Sequence, residues 1–300
     1  MNRLKYIITK NRKNIFLKNQ IDIPLNDSEL IEKYISNNGQ PWSDGYKEYK
    51  WKNIEEGINN DQLLQGIRNN VLPEGYGKGI DERVVEYPWL IAHIKEDNNS
   101  FLDAGSTFNF EEILRVPVLK KKEKYIYTFY PETNNYSKDR ISYVYGDLRN
   151  LPLKNNFFDT VVCHSTLEHI DMDNSMYGYE LGHISDKDSK SYEYLKVITE
   201  LERVTQQKGK ILLTFPYGIF ENHGFFQQFD KEMVQKIIDV LSSTCNCSKQ
   251  FMKYEEEGWR FANENDCANA KSYNPHTGKG KGNDGAAHSR AICFIEALKH

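Results

Sequence analysis

Two histidines stand where a reaction could use them. His169 closes "CHSTLEH", just past an apolar run, and His223 lies in "FPYGIFENHGFFQQFD", just past another. An imidazole titrates near neutrality, so either can take a proton from a hydroxyl group. A third constellation is "SFLDAGSTFNF", where an apolar run carries an acid at Asp103 and then turns at Ala104-Gly105-Ser106. A fourth is Asp147-Leu148 in "YGDLRNLP", an acid at the end of a strand-like segment. Asp171 and Asp173 in "DMDNS" offer oxygen ligands at a spacing that could suit Mg²⁺ or Ca²⁺. Such a run more often forms a polar loop, and no metal is assigned to it.

The loop after Asp103 limits the cofactor. A dinucleotide site needs G-x-G-x-x-G so that the backbone can approach a pyrophosphate. "DAGSTFNFEE" has one glycine, and Phe108 would crowd a pyrophosphate. No P-loop is present in the chain. One glycine is enough where the methionine end of an adenosyl group crosses the turn.

The elements that must position these residues alternate from about Asp81 onward. "FLDAG", "KYIYTFY", "ISYVYGD", "FFDTVVCHS", "GKILLTFP", a weaker "SKQFMKYE" and "RAICFIEAL" read as strands, several of them stopped by glycine or proline. "SYEYLKVITELERVTQQKG" reads as a helix closed by Gly209, and "DKEMVQKIIDVLSS" as a helix capped by Asp230. Strands alternating with helices predict a mostly parallel sheet covered on both faces. Residues 1–80 differ, with weakly amphipathic helices and turns rich in Tyr and Trp. They are expected to form an extension packing over the substrate site, with residues 81–300 as the main domain.

From Asp81 onward the chain resembles the class I S-adenosylmethionine-dependent methyltransferases. The segments that carry the resemblance are "LDAGST", "GDLRNLPLKNNFFDTVVCHSTLEHI", "ELERVTQQKGKILLTFPYG" and "AAHSRAICFIEALK". Within that family it looks most like small-molecule enzymes of bacterial capsule and surface-polysaccharide biosynthesis. The resemblance implies a Rossmann-like, doubly wound, seven-stranded α/β sheet with an antiparallel last strand, here with an N-terminal helical extension. It implies S-adenosyl-L-methionine as cofactor, held by Asp103, Ala104, Gly105, Ser106, Asp147, Leu148 and the backbone of His164. The acid that usually ends the second strand is displaced to Glu132, and the missing glycines leave the turn to Ser106 and Thr107. His169 and His223 are the two candidate bases, expected to point into one pocket, with a rate that climbs through an ordinary histidine titration. If the sixth and seventh strands are antiparallel, the sixth ends on the same carboxyl edge as the first, and the long connection between them starts and finishes at the ligand edge. Tyr217 and Trp259 are then candidates to line the substrate pocket.

Composition narrows the partners. At 300 residues, 39% hydrophobic and 13% aromatic, the chain can bury a large core. A net charge of −4 offers no general attraction to nucleic acid or to an anionic membrane. The basic N-terminus lacks the apolar core of a secretory leader, and five scattered cysteines suggest a reducing, cytoplasmic setting. The expected reaction is O-methylation of a sugar, a sugar-nucleotide or another small molecule. The alternative is a methyltransferase-like binding or assembly subunit without activity. The sequence does not specify an oligomeric state.

Overall fold

The computed structural model describes residues 25–137, 140–175 and 189–300. The segment read above for a leader lies outside the described residues. Helices α1 (Asp27–Ser36), α2 (Tyr46–Ile58) and α3 (Asp61–Arg68) precede α4 (Arg83–His93). Strands β1 (Ser100–Ala104), β2 (Glu123–Thr128), β3 (Ile141–Tyr145) and β4 (Phe158–His164) follow. Next come α5 (Tyr194–Val204), β5 (Thr205–Pro216), a small hairpin of β6 (Glu221–Asn222) and β7 (Gln227–Gln228), and α6 (Lys231–Leu241). The chain ends in β8 (Cys245–Glu255), β9 (Gly258–Ala262) and β10 (Ala291–Lys299).

The main sheet has eight strands in the order β3-β2-β1-β4-β5-β10-β8-β9. The first five are mutually parallel, whereas β10 is antiparallel to both β5 and β8. Strand β8 therefore runs with β1 and finishes at the same carboxyl edge. The expected Rossmann-like α/β sheet is present with one strand more than expected. "GWRFA", read as part of the long connection, turns back along β8 as β9.

Burial on both faces explains why the central strands are almost continuously apolar. Successive residues point to opposite sides. Leu102, Val161, Leu213 and Ile295 face a core completed by Val197, Ile198 and Leu201 of α5 and Met233, Val234 and Ile237 of α6. Their neighbours Phe101, Val162, Leu212 and Phe294 face the other core, with Trp89 and Leu90 of α4, Ile54 and Ile58 of α2 and Leu64 and Ile67 of α3. The described part of the N-terminal extension thus shares a core with the sheet through α4.

One local reading changes and one holds. The helix expected to run to Gly209 ends at Val204, because Thr205 already pairs with Phe158 across a bulge and the polar stretch "TQQKG" begins β5. Asp230 does cap α6, accepting from the Met233 amide at 3.1 Å.

Trp259 sits on β9, away from the substrate pocket expected for it. It is 2% exposed, its indole Nε1 donates to the Ile80 carbonyl at 3.0 Å, and its amide donates to the Tyr76 carbonyl at 2.8 Å. These contacts clamp the segment before α4 against the sheet edge. Trp259→Ala is expected to cost about 3–5 kcal/mol, the usual range for emptying a buried aromatic site. Urea unfolding checks this; unchanged stability with a raised KM for the acceptor would return Trp259 to the substrate pocket.

Candidate active site

In an open α/β sheet, ligands sit outside the carboxyl ends of the strands where strand order reverses. That point lies between β1 and β4 here, and a cavity of about 310 Å³ opens there. Among its lining residues are Gly105, Glu132, Asp147, Leu148 and His169 from the sequence reading, with Arg83, Thr107, Arg149 and Thr166 beside them. Ala104, Asp103, Ser106, His164, Tyr217, Trp259 and His223 are not on its wall.

The single glycine has a steric cause. Gly105 has φ 128, and a Cβ there would lie 2.1 Å from Thr166 Oγ1. The strand-end segment after β4 therefore crosses directly over the turn after β1, and only glycine allows both the backbone and the approach. Thr166 is itself held by donating to the His164 carbonyl at 2.9 Å. Ser106 follows in the left-handed region at φ 61, so the turn is made by serine. Its hydroxyl is buried with no hydrogen-bond partner among the described residues.

Asp103 lies under this loop and does not reach the cavity. It is fully buried and accepts from the Phe108 amide at 2.8 Å, the Thr107 amide at 3.2 Å and the Thr107 hydroxyl at 3.3 Å. Burial pushes its carboxyl up to about 7 against the pull of those donors. Its place is that of a positioning residue. Ala104 is likewise the buried end of β1.

On the opposite wall, Glu132 stands two residues beyond the strand-end position and still reaches the cavity. Its oxygens accept from Thr128 Oγ1 at 3.0 Å and Asn109 Nδ2 at 2.9 Å. Asp147 accepts from the Arg149 amide at 2.8 Å and from its guanidinium, with Nη2 at 2.7 Å. Burial works to raise the Asp147 carboxyl, but Arg149 outweighs it and holds the group below its usual range. Arg149 also donates to Glu193 at 3.2 Å, tying the loop to the start of α5. This arginine, absent from the candidates named above, is visible in "GDLRN" two residues after the acid it neutralises.

The floor holds residues that the sequence reading missed. Glu86, on α4, is fully buried and accepts from Ser165 Oγ at 2.6 Å and Arg83 Nη1 at 2.8 Å. His164 Nε2 lies 3.0 Å from Glu86 and 2.8 Å from Arg83. His164 thus sits behind the wall, in contact with α4. Burial would raise the Glu86 carboxyl, yet His164 and Arg83 hold it below the ordinary range. Burial works against the charge of the partly exposed Arg83, but Glu86 and Glu82 outweigh it and keep the guanidinium firmly protonated. The signal was available in "DERVVEYPWL": two charges at i and i+3 within a helix otherwise made to be buried.

The two candidate bases separate. His169 lines the cavity, and its Nδ1 lies 2.7 Å from the Phe225 carbonyl. A carbonyl only accepts, so Nδ1 carries the proton and Nε2 is the basic nitrogen. Burial lowers its pKa to about 4. His223 instead stacks flat on Phe226, with centroids 4.4 Å apart, because the β6–β7 turn folds its ring onto that side chain. Tyr217 is fully buried with its ring 4.8 Å from Phe251, so packing against β8 turns it into the core. Asp171 accepts from Ser191 Oγ at 2.8 Å and Asp173 from the Ser175 amide at 3.0 Å. Among the described residues, no group of three His, Cys, Asp or Glu side chains is placed to hold a metal ion.

Residues 127–213, from the end of β2 into β5, match the family model described as a methyltransferase domain. No curated protein matches the chain. Among solved structures, the chain is similar to the 1,6-didemethyltoxoflavin-N1-methyltransferase of Burkholderia thailandensis, with 8% identity and a TM-score of 0.42 over 95% of this chain and 99% of that one. An S-adenosylmethionine-dependent methyltransferase from Methanosarcina mazei shares 12% identity and a TM-score of 0.41 over 70% and 96% of the two chains. One from Thermotoga maritima shares 10% identity and a TM-score of 0.39 over 91% and 99%. The domain match supports an S-adenosylmethionine-dependent methyltransferase. The cavity fits that cofactor: one wall brings two carboxylates and an apolar Leu148, the other a glycine turn and a cation.

Glu168, beside His169, is 2% exposed, and its Oε2 has no hydrogen-bond partner among the described residues. Burial pushes its carboxyl up to about 8, with Arg83 opposing. A carboxyl raised on folding stays protonated in the native chain while the unfolded chain ionises. Stability should therefore fall as pH rises from about 4.3, the unfolded value, towards 8. Glu168→Gln is expected to remove that component, worth on the order of a few kcal/mol at pH 8. Denaturant midpoints between pH 4.5 and 8.5 check this, and an unchanged slope would mean Glu168 ionises freely in the fold.

Proposed function

We propose that this methyltransferase acts on a hydroxyl oxygen of a small molecule, with His169 as the base. The single observation that carries this reading is the tautomer of His169. Its Nδ1–H is spent on the Phe225 carbonyl, and its basic Nε2 belongs to a ring on the wall of the cavity that Gly105, Glu132, Asp147 and Leu148 also line. A sugar or sugar-nucleotide of surface-polysaccharide biosynthesis is the acceptor class that the sequence resemblance favours. A cytoplasmic setting, with no nucleic-acid or membrane partner, goes with it. No helix among the described residues is long and apolar enough to cross a membrane.

When bound, S-adenosylmethionine supplies an electrophilic methyl group on a sulfonium centre. Within the chain, Glu132 would take the ribose hydroxyls, Asp147 and Leu148 the adenine end, and the Gly105 turn the methionine end. Arg83 is the cation beside that turn, and its guanidinium would take the methionine carboxylate. Glu86 keeps the guanidinium in place from below. His169 would receive the proton that the acceptor hydroxyl loses. Most of the acceleration then comes from placement, since a base with so low a pKa has little driving force of its own.

His169→Ala is expected to lower turnover by about 10²-fold, the low end for general-base help, without changing cofactor affinity. The pH dependence differs from that of an ordinary histidine. Activity needs the unprotonated ring, so kcat/KM should be level from about pH 5 to 8 and fall below about 4, following the lowered pKa. A wild-type profile that climbs through pH 6.5 would show that another group titrates. Arg83 has its own test, in binding alone. S-adenosylhomocysteine carries the carboxylate and 5′-methylthioadenosine does not. Arg83→Met should cut the first affinity by roughly 10–100-fold and spare the second, in line with a charged hydrogen bond. Equal losses would mean a structural role; no loss with a raised acceptor KM would place Arg83 on the acceptor.

A further inference from the structure

The β6–β7 hairpin has a second face. A cleft of about 500 Å³ lies there, lined among others by Asn222, His223, Asn274 and Lys279. The His223 side chain has no solvent exposure, and both its ring nitrogens lack a hydrogen-bond partner among the described residues. Glu221 Oε2, just behind the cleft wall and not on it, is equally buried and has no hydrogen-bond partner among the described residues; it lies 3.5 Å from His223 Nε2, too far for a formed hydrogen bond. Three buried polar atoms in one place without partners are costly, and native proteins rarely keep them so without a ligand or ordered water.

The chemistry of these groups narrows the ligand. Glu221 can only accept, and Lys279, whose ammonium is 4.0 Å from its other oxygen, can only donate. A neutral imidazole presents one donor and one acceptor. The Asn222 oxygen is used by the Gly224 amide, and the Asn274 oxygen by the amides of His276 and Thr277, so each asparagine still offers its NH₂ group. A phosphate or carboxylate would meet the Glu221 charge, and a cation would meet Lys279. Adjacent hydroxyl groups, each both donor and acceptor, satisfy the whole set. We propose that this cleft is a binding site for a neutral polyol, such as the hydroxyl-bearing ring of a sugar.

The binding stands apart from methyl transfer and is read without cofactor, so its failure would leave the proposed reaction untouched. The experiment is ligand-observed saturation-transfer NMR on the full chain, with myo-inositol and D-glucose as probes and inorganic phosphate as competitor. Both variants preserve shape: Glu221→Gln keeps the side-chain outline, and His223→Phe keeps the stack on Phe226. The expected result is transfer to at least one polyol, weakened about tenfold or more in each variant, as befits loss of a hydrogen bond to a charged or buried group. The polyol should also raise the melting temperature of the wild type and not of His223→Phe. No transfer to either polyol from folded wild-type protein would overturn the proposal. Transfer that persists in both variants, or that phosphate abolishes, would overturn it as well.

Discussion

The site depends on one buried carboxylate. Glu86 lies on α4, beneath the junction of β1 and β4, and takes hydrogen bonds from Arg83 on its own helix and Ser165 past β4. A carboxylate so deeply buried is tolerated only with its charge compensated, and removing one partner of such a set commonly costs several kcal/mol. The arrangement therefore fixes α4 in rotation and height against the carboxyl edge of the sheet. Several other features follow from that placement. The extension packs on the outer side of α4 and so shares its core. Arg83 is carried to the cavity floor. Ser165 is held in the left-handed region at φ 40, which sends Thr166 back across Gly105.

The depleted glycine loop can be understood in the same terms. Where a loop must let a pyrophosphate through, several glycines are needed along the path. Here the crowding comes from the protein itself, since Thr166 occupies the space above Gly105. One glycine meets that demand. Ser106 absorbs the left-handed turn, and Asp103 fixes the next two amides from below. The loop is shaped by its neighbours on β4 and α4 as much as by its own sequence.

This division explains what could be read from the chain alone. Strand ends marked by Gly-Asp or proline were legible, because turn chemistry and burial on both faces are local properties. The boundary between α5 and β5 was not, since nothing in "TQQKG" shows that Thr205 pairs with Phe158. The edge of the sheet on which His169, His223 and Tyr217 fall follows from topology. The direction each side chain takes is decided by packing: Phe226 draws His223 aside and Phe251 draws Tyr217 inward. Trp259 was assigned to a connection because β9 is five residues long and carries a polar Arg260. Arg83 and Glu86 lie on a helix and not at a strand end, and charged residues in a helix otherwise built for burial are the signal that marks them.

The β6–β7 hairpin joins the two regions that the structure separates. The Phe225 carbonyl fixes the His169 tautomer, and the neighbouring Phe226 ring lies against His223 on one side and 5.1 Å from His288 on the other. His288 is in turn paired with Glu82 at 2.9 Å, immediately before Arg83. A contiguous line of packed rings and ion pairs thus runs from the hairpin cleft, past the candidate base, to the cation on the cavity floor. Contiguity alone does not transmit a signal; that requires an element with two arrangements. The hairpin has two paired residues on each strand, and further bonds anchor it: the Gly224 carbonyl accepts from the Asp173 amide at 3.0 Å, and the buried Gln227 and Gln228 side-chain amides donate to the Ser191 and Ala270 carbonyls at 3.0 and 2.9 Å. So anchored, it holds the Phe225 carbonyl in place, and with it the tautomer that leaves Nε2 of His169 as the basic nitrogen.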